Sequence, residues 1–382
     1  MMEGLQLSIP QRIQLLKNVV VFSLLASLYL SVHLWAGERN FPYTSLFFSA
    51  HITPPYDYMY LILITFFCLA SFVLKWQRLF IFLSVLVCAW LVVCDLTRLQ
   101  PWLYYYASLL LIYIFYDGRV DDSNKYTSYF IILQLVVASV YFYTGISQMN
   151  KNFVDSEFIL VISPLKEFMS ERQFLLLAKM GKAVPYILTG VGIGLMVSSI
   201  RFLAVALAIV MHFLLLLFLF PSVKNPNYAL WLSNLVFILL LFLLFSGKTK
   251  QRYFSPTFLL QVPIFYVFVF LFVLAPAFNR SGGWPDFLSS NFRSGNNNTA
   301  LVRFSERVYE KLPLVERQFV LYSGNGYILD YQDWCLKELH SECFPDKKVF
   351  TRIYDHVVSL NAEDVKEIEL KCVLHHGLLR KP

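Results

Sequence analysis

The side chains in this sequence best suited to chemistry are polar ones set among long apolar runs, in four clusters. The first, Asp95-Leu96-Thr97-Arg98-Leu99-Gln100-Pro101-Trp102, joins two apolar runs. Asp95 and Arg98 are one turn apart and able to pair, and Pro101 suits the first turn of a helix. This cluster reads either as a helix–loop–helix clasp or as a polar lid that touches a substrate through Arg98, Gln100 and Trp102. In the second, Tyr141 to Lys151, the residues Thr144, Ser147, Gln148 and Lys151 follow i, i+3, i+4, i+7 spacing, with Asn150 beside them. That is a polar stripe on one helix face, and Gly145 permits close helix approach. The stripe either bonds a neighbouring helix or lines a cavity. The third is His212, either bonded to a neighbouring helix or carrying a proton, since imidazole titrates near neutral pH. In the fourth, Asn225-Pro226-Asn227 reads as a turn and helix cap, and Asn234 lies two turns further on, as a helix contact or a ligand contact.

Polar groups at membrane depth are costly, so each is a functional-site candidate. Lys151 and His212 are the catalytic candidates. Arg98, Gln100, Trp102, Thr144, Gln148, Asn150 and Asn234 are the ligand-binding candidates. The sequence has no Cys/His spacing of a metal site, nucleotide-binding loop, serine-nucleophile turn or His-Glu-x-x-His, which argues against soluble-type hydrolase, kinase or dehydrogenase chemistry.

The elements that must hold these residues follow from composition. The 382 residues are 57% apolar and only 15% charged, too little charge to cover a soluble protein of this length. About nine runs approach the ~20 apolar residues that cross a hydrocarbon core, at 18–36, 58–74, 79–95, 101–117, 128–148, 183–199, 202–221, 228–246 and 257–277. In lipid such runs must be helical, because unpaired backbone groups have no water to bond. The first run is too long for a signal-peptide core and reads as an uncleaved anchor. The expected fold is an all-α polytopic membrane bundle over 1–279, followed by a small α+β extracytoplasmic domain over 280–382.

The tail from Arg280 carries fourteen basic and fourteen acidic residues, so the net charge of +7 belongs to the membrane part. A basic excess in short loops marks orientation and speaks against nucleic acid as a partner. Arg12, Lys17, Lys75, Arg78, Arg119, Lys125, Arg201, Lys248, Lys250 and Arg252 fall on one side, and Arg39, Arg98 and Lys224 on the other. With an odd span number, the N-terminus is then cytoplasmic and the tail extracytoplasmic. Segment 151–182 is too polar to span, and Ser170-Glu171 opens a short amphipathic helix at the interface. In the tail, residues 300–312 read as a helix, Phe319 to Tyr322 as an alternating run before a Ser-Gly-Asn-Gly turn, and Asp333 as the cap of a short helix. His375-His376 reads as a solvated pair. Of six cysteines, Cys335, Cys343 and Cys372 lie in the tail. An oxidising compartment permits one disulfide there, Cys335–Cys343 among the pairings, with one thiol left over.

The chain resembles the HTTM superfamily, whose animal members are the vitamin K-dependent γ-glutamyl carboxylases, and specifically its bacterial branch. The resemblance is carried by Arg98-Leu99-Gln100-Pro101-Trp102-x-Tyr104, by Tyr141-Phe142-x-x-Gly145-x-x-x-Met149-Asn150, by His212, and by Asn225-x-Asn227-x-x-x-Trp231-x-x-Asn234. In the tail it rests on Trp284-Pro285-Asp286-Phe287-Leu288, Ser294-Gly295-Asn296 and Trp334-x-x-Lys337-Glu338-Leu339. It implies a bacterial inner-membrane protein handling a quinone or hydroquinone. The carboxylases place a basic lysine after the Tyr-Phe-x-x-Gly motif, where this chain has Ser147-Gln148-Met149-Asn150. A carboxamide cannot abstract a phenolic proton, and Lys151 would replace the lysine only if the helix continued. The expectation is a carboxylase-like protein without carboxylase activity that binds a lipid, quinone or extracytoplasmic partner at its outer face. The alternatives are an active quinone-dependent oxidoreductase or carboxylase-like enzyme using Lys151 or His212, and a transporter, for which the spans show no inverted repeat.

Overall fold

A computed structural model describes residues 7–47, 52–73, 75–116, 123–221, 226–246, 256–324 and 326–373. Arg119, Lys224, Asn225, Lys248, Lys250, Arg252 and His375-His376 lie outside the described residues, as does the side chain of Lys125.

Among the described residues, seven helices are long and apolar enough to cross a membrane. They are α1 (Ile9–Leu30), α2 (Tyr56–Val73), α3 (Gln77–Cys94), α5 (Ser123–Gln148, apolar from Tyr126), α8 (Arg201–Phe218), α9 (Tyr228–Phe245) and the irregular stretch Pro263–Ser281. Two shorter apolar helices complete the set, α4 (Pro101–Phe115) and α7 (Val184–Met196). The expected runs at 101–117 and 183–199 are thus 15 and 13 helical residues.

Two boundaries differ from the sequence reading. The first helix starts at Ile9, not at 18, because Ser8 and Gln11 form a capping box and Pro10 occupies the first turn. It tolerates Arg12 by giving that guanidinium the carbonyls of Leu7 and Ser246, and Lys17 by setting its amine 3.4 Å from Ser71 O. It stops at Ser31. The last run is interrupted before Pro263 and loosens into a π turn at Phe270–Leu274 and a 3-10 turn at Ala275–Ser281. Helix α6 (Glu171–Met180), capped by Ser170 as expected, meets α7 at a 43° bend.

Side-chain bonds show how the helices alternate. Gln134 of α5 donates to Leu244 O of α9 at one end of the bundle, while Tyr141 packs on Phe237 nearer the other. Gly145 and Gly192 bring α5 and α7 into backbone contact: a Cβ on Gly145 would lie 2.6 Å from Pro185 O, and one on Gly192 2.8 Å from Ala138 O. Arg12, Gln14, Gln77, Tyr113 and Ser246 meet at the end away from the tail.

The tail is a four-stranded antiparallel sheet, order β2-β3-β1-β4, from β1 (Thr299–Phe304), β2 (Val320–Tyr322), β3 (Tyr327–Asp330) and β4 (Ile368–Val373). Residues 299–304 are therefore a strand and not the start of a helix. Ala300, Val302 and Phe304 are buried in alternation, a period of two, and the helix there is only Glu306–Lys311. Two helices cover the sheet, α10 (Tyr331–Leu339) and α11 (Lys347–Leu360). Asp330, not Asp333, caps α10, while Asp333 pairs with Lys337 at 2.7 Å. One apolar core runs from α1 through the bundle into the sheet and both tail helices, so the two parts are packed as one body.

Candidate functional site

At the tail end of the bundle, the turn after α3 collects donors around Asp95. Its carboxylate accepts from Arg39 at 2.6 Å, Thr97 Oγ1 at 2.7 Å, and the backbone N–H groups of Thr44 and Thr97 at 3.2 and 3.3 Å. Arg98, expected to pair with Asp95, stands 3.9 Å away and spends its guanidinium on Leu34 O and Trp35 O at 3.2 and 3.1 Å. Burial lowers the Arg98 pKa, and Asp95 works against that shift. Gln100 donates to Thr97 O and to Glu342 O of the tail. Trp102 is buried against Trp35, and its indole N–H has no partner. These residues clamp the 31–47 loop between bundle and tail.

The tail completes the clamp. Glu338 accepts from the N–H groups of Asn40 and Phe41 and from Trp334 Nε1, and Lys348 and Arg352 reach Leu46 O and Tyr43 O. A groove of about 710 Å³ remains between Tyr43–Phe47 and α11. It is lined by none of the residues expected to bind a ligand.

The second cluster is the end of α5. The helix stops at Gln148, and Lys151 opens a separate helical segment. Asn150 turns the chain back, accepting from Phe153 N while donating to Ser147 O and, in the exit loop, to Ser294 O. The expected polar stripe is therefore cut before Lys151, whose side chain is 89% exposed beside Asp155. Thr144 donates to Ser290 O, and Tyr105 of α4 to Ser290 Oγ. Gln148 is buried, and its Oε1 has no hydrogen-bond partner. Around it, the exit loop folds on Asp286, which accepts from Asn279 and Asn291 at 2.8 and 2.9 Å. Arg293 pairs with Glu342. Burial opposes the Arg293 charge, but Glu342 outweighs it and raises the pKa. Nearby, burial pushes the Glu157 carboxyl above its usual range, against the pull of Arg293.

The third cluster lies inside the bundle. His212 of α8 is bonded on both ring nitrogens, 2.6 Å from Tyr141 Oη and 3.0 Å from Asn234 Oδ1. Asn234 gives its N–H to Leu230 O, so its oxygen faces His212 Nδ1, which donates. Nε2 is then the acceptor of the Tyr141 hydroxyl. The ring stacks on Phe237.

The nine predicted residues thus do not share one pocket. Arg98, Gln100 and Trp102 belong to the clamp, Thr144, Gln148 and Asn150 to the end of α5, and His212 and Asn234 to the bundle interior, while Lys151 faces outward. Sequence reasoning missed Arg39, the principal partner of Asp95, since the two are 56 positions apart. It also missed Tyr141 as a partner of His212. No group of three or more His, Cys, Asp or Glu side chains among the described residues is placed to hold a metal ion. The arrangement defines a helical membrane bundle with separate polar clusters, two of them under the tail and one inside the bundle. No family model, curated protein or solved structure matches the chain.

Proposed function

We propose that this is a carboxylase-like (HTTM-type) protein of a bacterial inner membrane that does not carboxylate. It binds a hydroxyl-bearing ligand, a quinol or a lipid headgroup, at the outer end of α5, with the N-terminus cytoplasmic and the tail extracytoplasmic. The observation that carries this reading is Gln148: a buried carboxamide with an unpartnered oxygen, where the resemblance expects a basic lysine. Leaving such an acceptor unpaired costs about 1–3 kcal/mol. A ligand hydroxyl, which both donates and accepts, recovers it. Lys151, turned away after the helix break, is not positioned to supply the missing base.

A second reading, an active quinol-dependent enzyme, rests on the Tyr141–His212 contact, where a proton already lies between two titratable groups. One assay separates the two. Protein in lipid nanodiscs is given phylloquinol, labelled bicarbonate and a glutamate-rich peptide. The proposal expects no label in the peptide above a heat-inactivated control. Incorporation that disappears in His212→Gln contradicts it in favour of the enzyme.

A further inference from the structure

The tail holds three cysteines, and the fold brings two of them together. Gln332 and Cys335 are three residues apart on α10 and share a face. The Gln332 carboxamide takes both backbone polar groups of Cys343, accepting from its N–H at 3.0 Å and donating to its carbonyl at 3.1 Å. This pins Cys343 against the face that carries Cys335. Both side chains are fully buried free thiols, and after burial itself Cys335 is the main influence on the Cys343 thiol. Nine residues from 335 to 343 close the loop, and they include Glu338 and Glu342, the two tail residues that hold the 40–41 backbone and Gln100.

We propose that Cys335 and Cys343 form a disulfide that staples this clamp. The inference rests on the extracytoplasmic tail proposed above. Two thiols lose two protons and two electrons to a dithiol oxidase or another disulfide. One thiolate attacks the donor disulfide, and the second displaces it from the mixed disulfide. Because both thiols are shut away from solvent in the folded tail, no oxidant reaches them there, and the bond forms while the tail is still open. The leftover thiol, Cys372, is exposed on β4 and serves as an internal control.

The full chain is expressed in bacterial membranes, and intact spheroplasts are treated with a membrane-impermeant maleimide. The protein is then denatured with N-ethylmaleimide present, and its peptides are mapped without reductant. The expected result is Cys372 labelled from outside and a Cys335–Cys343 linked peptide pair that separates on reduction. Free thiols at both positions with Cys372 labelled from outside would overturn the staple and leave the orientation standing. Labelling of Cys372 only after permeabilisation would overturn the orientation, and the staple with it. In Cys335→Ser/Cys343→Ser, amide exchange across residues 38–47 is expected to be several-fold faster than in the oxidised protein. Unchanged exchange would overturn the role of the bond in the clamp.

Discussion

Arg39 Nη2 and Asp95 Oδ2 lie 2.6 Å apart with both side chains withdrawn from solvent, joining the loop after α1 to the turn after α3. Removing one partner of such a pair leaves a buried charge unmatched, at about 3–5 kcal/mol. Asp95→Ala should therefore lower the thermal midpoint markedly and open residues 34–47 to protease. Lys337→Ala, which removes a more exposed pair with Asp333, should cost about 0–1 kcal/mol. Equal effects from the two variants would contradict the central place given to Asp95.

The His212 contacts predict a coupling. Tyr141→Phe and His212→Leu each remove the same bond, so the double variant should be less destabilised than the sum. Hydrogen bonds between membrane helices are worth about 0.6 kcal/mol on average and up to about 1.7. A double-mutant cycle in detergent–denaturant titrations should return a coupling in that range. Strict additivity would mean that the two side chains do not interact.

Glycine substitutions test the α5–α7 contact. A Cβ on Gly145 would fall 2.3 Å from Thr189 Oγ1, whereas one on Gly190 meets nothing within 4 Å. Gly145→Ala should destabilise by about 1–3 kcal/mol through overpacking. Gly190→Ala, in the same region, should be neutral or slightly stabilising. Thermal midpoints of the two variants measured side by side decide it.

Much of this arrangement was legible in residue patterns. Hydropathy located the apolar helices of the bundle but neither the start of the first nor the break in the last, and capping residues such as Ser170 and Asn227 marked true starts. What escaped were features that depend on distant partners. Arg12 and Lys17 fall before the run expected at 18–36, yet α1 carries both because the carbonyls of Ser246, just past α9, and of Ser71 in α2 meet them. The stripe from Thr144 to Lys151 obeyed helical spacing, but Asn150 redirects the chain through bonds to Ser147 and Ser294, the latter 144 residues away. The clamp at Asp95 needed Arg39, which no local spacing connects to it.

His340 supplies a pH dependence. It ends α10 with a φ of 54° and meets His33 edge-on, ring centroids 4.7 Å apart. Burial, and secondarily His33, lowers its pKa below the ordinary 6.5. The folded state then binds protons less readily than the unfolded one. Tail docking should be unaffected above about pH 6.5 and should weaken as pH falls through that value toward the lowered pKa. Asn tolerates a positive φ, so His340→Asn should flatten the profile of hydrogen exchange against pH. An unchanged profile in that variant would assign the dependence elsewhere.

The most direct test of the account is equilibrium binding of a short-chain menaquinol to the full chain in nanodiscs, compared with Gln148→Leu and Lys151→Ala. Losing the Gln148 acceptor should weaken binding by roughly ten-fold, about 1.4 kcal/mol, in Gln148→Leu, while Lys151→Ala binds as the unmodified protein does. Equal affinity for all three proteins, or a loss confined to Lys151→Ala, would contradict the assignment of Gln148 as the ligand contact.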